Sequence, residues 1–159
     1  IYSYFLMKHF DRNKIIVIKG GSDKVNRKAV STKNVDILLD PHLGNRKDKM
    51  HQRDSGLNQV LLKLAKQNNV AIGFSFKSLL NSKTRVKDLG RIIQNIKLCR
   101  KYKVKIVIQE FEERNKEDVN SLFKVLGMTA KEIQISNSYE QYKLDYKKRY
   151  VMKGVMLTN

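Results

Sequence analysis

The chain has 159 residues, 41% hydrophobic and 30% charged, which suits one globular domain with a real core and excludes a wholly disordered chain. A single cysteine excludes an internal disulfide or a cysteine zinc cluster, and no apolar run approaches the roughly 18 residues that span a bilayer. Lys and Arg number 33 against 15 Asp and Glu, a formal net charge of +18 that favours a polyanionic partner, nucleic acid ahead of an anionic membrane. The expectation is a cytoplasmic protein with no membrane partner.

In chain order, Ile15–Lys19 (IIVIK) reads as a strand, Ser22–Ser31 as a helix and Val35–Leu39 (VDILL) as the next strand. A long polar loop follows. Leu57, Val60, Leu61, Leu64 and Ala65 then recur at helical spacing, with Asp54 or Ser55 as the expected cap and Asn68 and Asn69 as the stop. Val70–Phe76 reads as a third strand. Arg85–Tyr102 reads as a long helix with Val86, Leu89, Ile92, Ile93, Ile96 and Cys99 inward, so Cys99 is expected to be a buried thiol. Val104–Gln109 reads as a fourth strand, and helices are expected at Glu117–Leu126 and around Thr129–Ile135. No element is assigned from Tyr139 to Asn159, a C-terminal tail.

Strands alternating with amphipathic helices imply crossovers and a parallel sheet. The strand runs lack polar alternation, as expected when both faces are buried. The fold class is α/β, either a barrel-like parallel sheet surrounded by helices or a doubly wound sheet. A closed eightfold barrel takes about 250 residues. This shorter chain, which begins at Ile1, is expected to be a segment of a longer protein or an incomplete barrel in a single domain.

Four blocks in this order, GGSDKVNRKAV, VDILLDPHLG, RDSGLNQVLLKLAKQNNVAIGFSF and RVKDLGRIIQNIKLCRKYKVKIVI, resemble the ribonuclease P protein component 3 family, with a weaker echo in LFKVLGM. The most specific part is Asp54-Ser55-Gly56-Leu57-Asn58 with the helix and VAIGFSF behind it. The resemblance implies a TIM-barrel-like fold related to metal-dependent phosphoesterases. It also implies a non-catalytic subunit of the ribonucleoprotein that removes the 5′ leader from precursor tRNA. The RNA is then the catalyst and holds the magnesium, no cofactor is bound by the protein itself, and the partners are ribonuclease P RNA, precursor tRNA, protein component 2 and other protein subunits. Two departures stand out. Only 14 residues precede IIVIK, fewer than the family's leading elements need, and Leu39-Asp40-Pro41-His42 stands where many relatives have Ser-His-Pro.

RNA binding is also expected from geometry. In a parallel α/β fold every strand-to-helix loop opens on the C-terminal face. The loop after VDILL carries Arg46, Lys47, Lys49, His51 and Arg53, the loop after VAIGFSF carries Lys77, Lys83, Arg85 and Lys87, and Arg91 lies one turn beyond. These lysines and arginines form the expected phosphate-binding surface, which supplies affinity rather than sequence reading. The alternative function is a metal-dependent phosphoesterase acting on nucleic acid through Asp40, His42, Glu110 and Glu112. Three histidines make a sparse set for a dinuclear site, so no catalytic or metal-ligating residue is assigned. Gly20-Gly21 reads as a structural turn, and Tyr139, Tyr142 and Tyr146 as a packing or partner surface on one helical side. If no strand precedes Ile15–Lys19, that strand is a bare sheet edge that invites association.

Overall fold

The computed structural model describes residues 14–48, 50, 52–109, 115–152 and 155–156. At its centre is a parallel sheet of β1 (Val17–Lys19), β2 (Ile37–Leu39), β3 (Ala71–Ser75) and β4 (Ile106–Gln109), in that order. Ile37 lies opposite both Val17 and Ala71, and Ile72 lies opposite Ile106. The crossovers hold α1 (Asp23–Ser31), α2 (Gln59–Gln67), a short α3 (Phe76–Leu80) and α4 (Arg85–Tyr102). After β4 come α5 (Lys116–Val125), α6 (Ala130–Arg149) and an antiparallel pair, β5 (Tyr150–Met152) with β6 (Val155–Met156). Sequential order and a single strand direction are those of a TIM-type barrel wall. Among the described residues the sheet stays open, four strands wide, with β1 at one edge. The fold is an α/β barrel wall, incomplete over this span.

Strand alternation divides the core into two sides. On one face Leu38, Ile72, Phe74 and Ile106 pack with Val30 of α1, Leu62 of α2, Ile92, Ile96 and Cys99 of α4, and Phe123 of α5. On the other, Ile37, Ala71 and Val107 meet Tyr139 of α6. Each such side chain contributes roughly 1.5–3 kcal/mol on burial, which lets strands of three residues persist. Cys99 is fully buried, and burial pushes its thiol pKa up.

The helices begin where local chemistry permits. Ser22 caps α1 by accepting from the Val25 amide at 3.3 Å, with Asp23 in the first turn and Lys28 in the last. The cap of α2 is Asn58, which accepts from the Leu61 amide at 3.0 Å, rather than Asp54 or Ser55. Asp54 is engaged elsewhere, accepting from the Gly56 amide. Two residues expected to face inward do not: Val60 is 51% and Val86 85% exposed, because both stripes are rotated toward Leu61, Leu62 and Ile92.

Tyr139 does not begin a tail, since α6 runs unbroken to Arg149. The helix starts beside the α5 face, where Ile133 joins the larger core, and passes the edge of β4, where Ser136 Oγ accepts from the Ile108 amide at 2.8 Å. It then crosses the second face below the strands. Tyr139 donates to the Asp36 carbonyl at 3.1 Å, Lys143 to the Asn69 carbonyl at 2.6 Å and Lys147 to the Lys14 carbonyl at 2.7 Å. The acceptors precede β2, β3 and β1, so α6 closes the N-terminal end of the sheet. The buried Asp36 carboxylate pairs there with Lys147 and lies 3.5 Å from Lys143 Nζ. Among the described residues the opposite, C-terminal end remains open.

Candidate nucleic-acid interface

The C-terminal end is organised by an asparagine. Asn26 faces inward from α1 beside Ala29 and Val30, and its side chain is fully buried. Its Nδ2 donates to the carbonyls of Pro41 and Gly56, each at 3.0 Å, while its Oδ1 accepts from the Gly21 amide at 3.0 Å. One side chain thus joins the turn after β1, the turn after β2 and the Asp54-Ser55-Gly56 segment. Gly56 has φ +75, and a Cβ there would stand 2.0 Å from the Pro41 carbonyl oxygen, so only glycine fits. Gly20-Gly21 takes part in this junction, which makes it a structural turn.

Two expected RNA-binding residues, Arg46 of the basic loop after β2 and Arg91 of α4, pin that loop to the junction and to α4. Arg46 reaches Asp23 at 2.8 Å, Asp54 at 2.9 Å, the Leu43 carbonyl at 3.2 Å and the Gly21 carbonyl, leaving its side chain 5% exposed. Arg91 is equally buried: it donates to Asp48 at 3.0 Å and to the Arg46 carbonyl at 3.1 Å, and lies 3.5 Å from Asp88. Both arginines turn inward because a carboxylate distant in sequence, Asp23 for Arg46 and Asp48 for Arg91, stands beside each together with a nearer one, Asp54 or Asp88. The Asp54 amide and then the Arg91 guanidinium hold the Asp48 carboxyl below the usual carboxylate range, with Lys87 adding to the effect. Asp88 in turn accepts from the Ser82 and Thr84 hydroxyls, fixing the entry to α4.

The remaining candidates fare differently. Lys47, Arg53, Lys77, Lys83, Arg85 and Lys87 are exposed on the open end. Arg85 donates to the Leu79 and Leu80 carbonyls and so also secures the end of α3. The guanidinium of Arg53 lies against Gly90 of α4, where a Cβ would stand 2.7 Å from its Nη1. Lys49 and His51 lie outside the described residues. The loop and α4 are joined further by Gln94 to the Arg53 carbonyl at 3.3 Å and Asn95 to the Ser55 carbonyl at 2.9 Å. The two basic loops therefore meet on one face. Between them a hollow of about 560 Å³ is lined by Lys19, Leu39, Leu43, Ser75, Lys77, Ser78 and Asn81.

Beneath this surface Asp40 and His42 are buried, 0% and 2% exposed. Asp40 has φ 50 and accepts from the Ser75 amide at 2.8 Å through Oδ1. Burial pushes its carboxyl above the ordinary value, against the pull of that amide. His42 packs 5.8 Å from the Phe74 ring, and burial lowers its pKa to about 4. Among the described residues Asp40 Oδ2 and His42 Nδ1 have no hydrogen-bond partner, and neither do Ser55 Oγ, Asn95 Oδ1 and Gln109 Oε1. Among the described residues no three His, Cys, Asp or Glu side chains gather as a metal site, and Glu110 and Glu112 lie outside those residues. Sequence reasoning overlooked Asn26, although its place in the stripe with Ala29 and Val30 was a signal.

Residues 6–139 match the sequence model of the family described as RNase P subunit p30. The chain belongs to that family. Curated relatives named ribonuclease P protein component 3 include those of Methanosarcina acetivorans, 34% identical over 89% of this chain and 60% of the relative, and Methanococcoides burtonii, 35% identical over 91% and 62%. That of Methanocaldococcus jannaschii is 38% identical over 72% of this chain and 50% of its own length. The chain thus spans about 60% of the length of the first two relatives. A chain in a structure described as a cryo-EM structure of archaeal ribonuclease P with mature tRNA superposes with a TM-score of 0.71 at 29% identity, over 91% of this chain and 64% of that one. Among the described residues of this p30-family chain no helix is long and apolar enough to cross a membrane.

Proposed function

We propose that the chain is an RNA-binding protein subunit of ribonuclease P that supports RNA-catalysed removal of the 5′ leader from precursor tRNA. The observation that carries this reading is the open C-terminal end of the sheet in a p30-family fold, where Lys47, Arg53, Lys83 and Lys87 stand exposed around a rigid scaffold. Phosphate contacts from such side chains position RNA without reading its sequence. The fit to a chain from a ribonuclease P–tRNA structure supports ribonuclease P RNA and tRNA as partners. Protein component 2 is the proposed neighbour within the assembly, which works in the cytoplasm, and magnesium belongs to the RNA. No cofactor is assigned to the protein.

Reconstitution with ribonuclease P RNA and component 2 tests this reading. Cleavage of precursor tRNA should require the RNA, increase when this chain is added, and survive Asp40→Ala and His42→Ala in any protein that remains folded. Manganese-dependent hydrolysis by the chain without RNA, abolished by either substitution, would instead establish the phosphoesterase.

A further inference from the structure

We propose that the pocket between α1 and the loop ahead of α2 receives an unstacked base from single-stranded RNA. This inference rests on the RNA-binding reading above and names what one part of the surface would hold. The pocket has a volume of about 420 Å³ and is lined by Arg27 of α1, by Gln52, Arg53 and Asp54 of the loop, and by Leu57, Asn58 and Leu61. That volume falls within the roughly 300–1,000 Å³ of small-ligand sites.

Its chemistry fits a base better than a bare phosphate or an acidic peptide. The carboxylates of Asp23 and Asp54 that border it are paired with Arg46 at 2.8 and 2.9 Å. Arg27 and Arg53 are exposed, and neither guanidinium has a hydrogen bond or ion pair to another described residue. The uncompensated charge is therefore positive. An anion alone would need those two arginines but not the apolar floor of Leu57 and Leu61, which are 8% and 7% exposed. A base uses both, since guanidinium planes stack on aromatic faces while the floor excludes water. Gln52 is exposed at the pocket, and the Asn58 amide nitrogen is not needed for the helix cap, which uses Oδ1. Both offer hydrogen bonds to a base edge. Gly90 sets the place of one wall, because the three atoms nearest a Cβ built there all belong to Arg53.

The test compares a single-stranded oligoribonucleotide with an abasic ribose-phosphate oligomer of equal length. Stacking contributes roughly 1–3 kcal/mol per base, so the wild-type chain should favour the base-bearing oligomer by roughly fivefold or more. Arg27→Lys with Arg53→Lys keeps both charges but removes the planar forks. The salt slope should hold while discrimination falls to roughly twofold or less. Gly90→Ala, which displaces the Arg53 guanidinium and leaves its charge, should reduce discrimination in the same direction. Equal wild-type affinity for the two oligomers would overturn this inference and leave the proposed function standing. Absence of wild-type binding to either would overturn both.

Discussion

At the N-terminal end of the sheet, the buried carboxylate of Asp36 meets Lys143 and Lys147, and the Tyr139 hydroxyl and both ammonium groups find backbone carbonyls. At the C-terminal end, Asp40 and His42 are as deeply buried, yet Asp40 Oδ2 and His42 Nδ1 have no hydrogen-bond partner among the described residues, and exposed cations stand above them. Buried polar atoms in native proteins are nearly always satisfied, so a cluster that is not calls for a reason beyond packing. Both ends bury charge, but one consumes it in holding the helix layer while the other keeps polar capacity beside an open surface. Buried charge at the N-terminal end thus holds structure alone, whereas the C-terminal end combines the structural Arg46 and Arg91 with exposed cations and the polar atoms of Asp40 and His42.

The largest expected effect tests that division with two aspartates. Asp36→Ala removes the buried carboxylate that pairs with Lys147 and lies beside Lys143, and should cost about 3–5 kcal/mol in urea unfolding. Asp40→Asn keeps the oxygen that accepts from Ser75 and removes a carboxylate that burial disfavours, so it should cost no more than about 1 kcal/mol. Equal losses at the two sites would erase the distinction.

A pH titration comes next. His42 is held near pKa 4 in the fold against 6.5 unfolded, so the unfolded chain binds the extra proton in that interval. Stability from the neutral imidazole is present above pH 6.5 and is lost as pH falls toward 4, by about 3 kcal/mol from this group. The raised Asp40 pKa acts oppositely. The folded state takes its proton first, so acidification from that raised value down to 3.8 favours the fold and offsets part of the loss. His42→Gln should flatten the decline between pH 6.5 and 4, and an unchanged decline would place its origin elsewhere.

These contrasts also mark what could be read from the sequence. Arg85–Tyr102 was legible end to end, and β2, β3 and β4 fell inside their apolar runs, because branched residues buried on both faces leave an unmistakable pattern. The second half of α6 was not legible. Its inward positions are Tyr139, Lys143 and Lys147, and a helix that buries lysines against a distant Asp36 has no apolar stripe to show. α3 was hidden for the opposite reason, since Phe76 continues the apolar run of β3. At the candidate site, Lys47, Arg53, Lys83 and Lys87 stand exposed. Arg46 and Arg91 do not, because Asp23 and Asp48 are brought to them only by the fold, where Asp54 of the same loop and Asp88 one turn earlier on α4 complete the pairing.

Arg46 and Lys47 sharpen the same contrast at adjacent positions. Arg46→Ala should destabilise the fold by about 2 kcal/mol, through loss of charged hydrogen bonds that lock the loop, and should weaken RNA binding indirectly. Arg46→Lys should recover little, since one ammonium cannot replace the fork. Lys47→Ala should leave the melting midpoint within error of wild type. A destabilising Lys47→Ala, or a neutral Arg46→Ala, would reverse these assignments.

The most direct measurement is the salt dependence of RNA affinity after equal charge removal at the two ends. Lys47→Ala with Lys87→Ala removes exposed cations from the C-terminal end, and Lys66→Ala with Lys101→Ala removes exposed cations from the last turns of α2 and α4 at the other. Each lost phosphate contact reduces the magnitude of the slope of log affinity against log salt by roughly 0.7–0.9. The first pair should therefore reduce that magnitude by roughly 1.4–1.8, and the second should leave it unchanged. Equal reductions, or a larger one from Lys66 and Lys101, would contradict an RNA surface at the C-terminal end of the sheet.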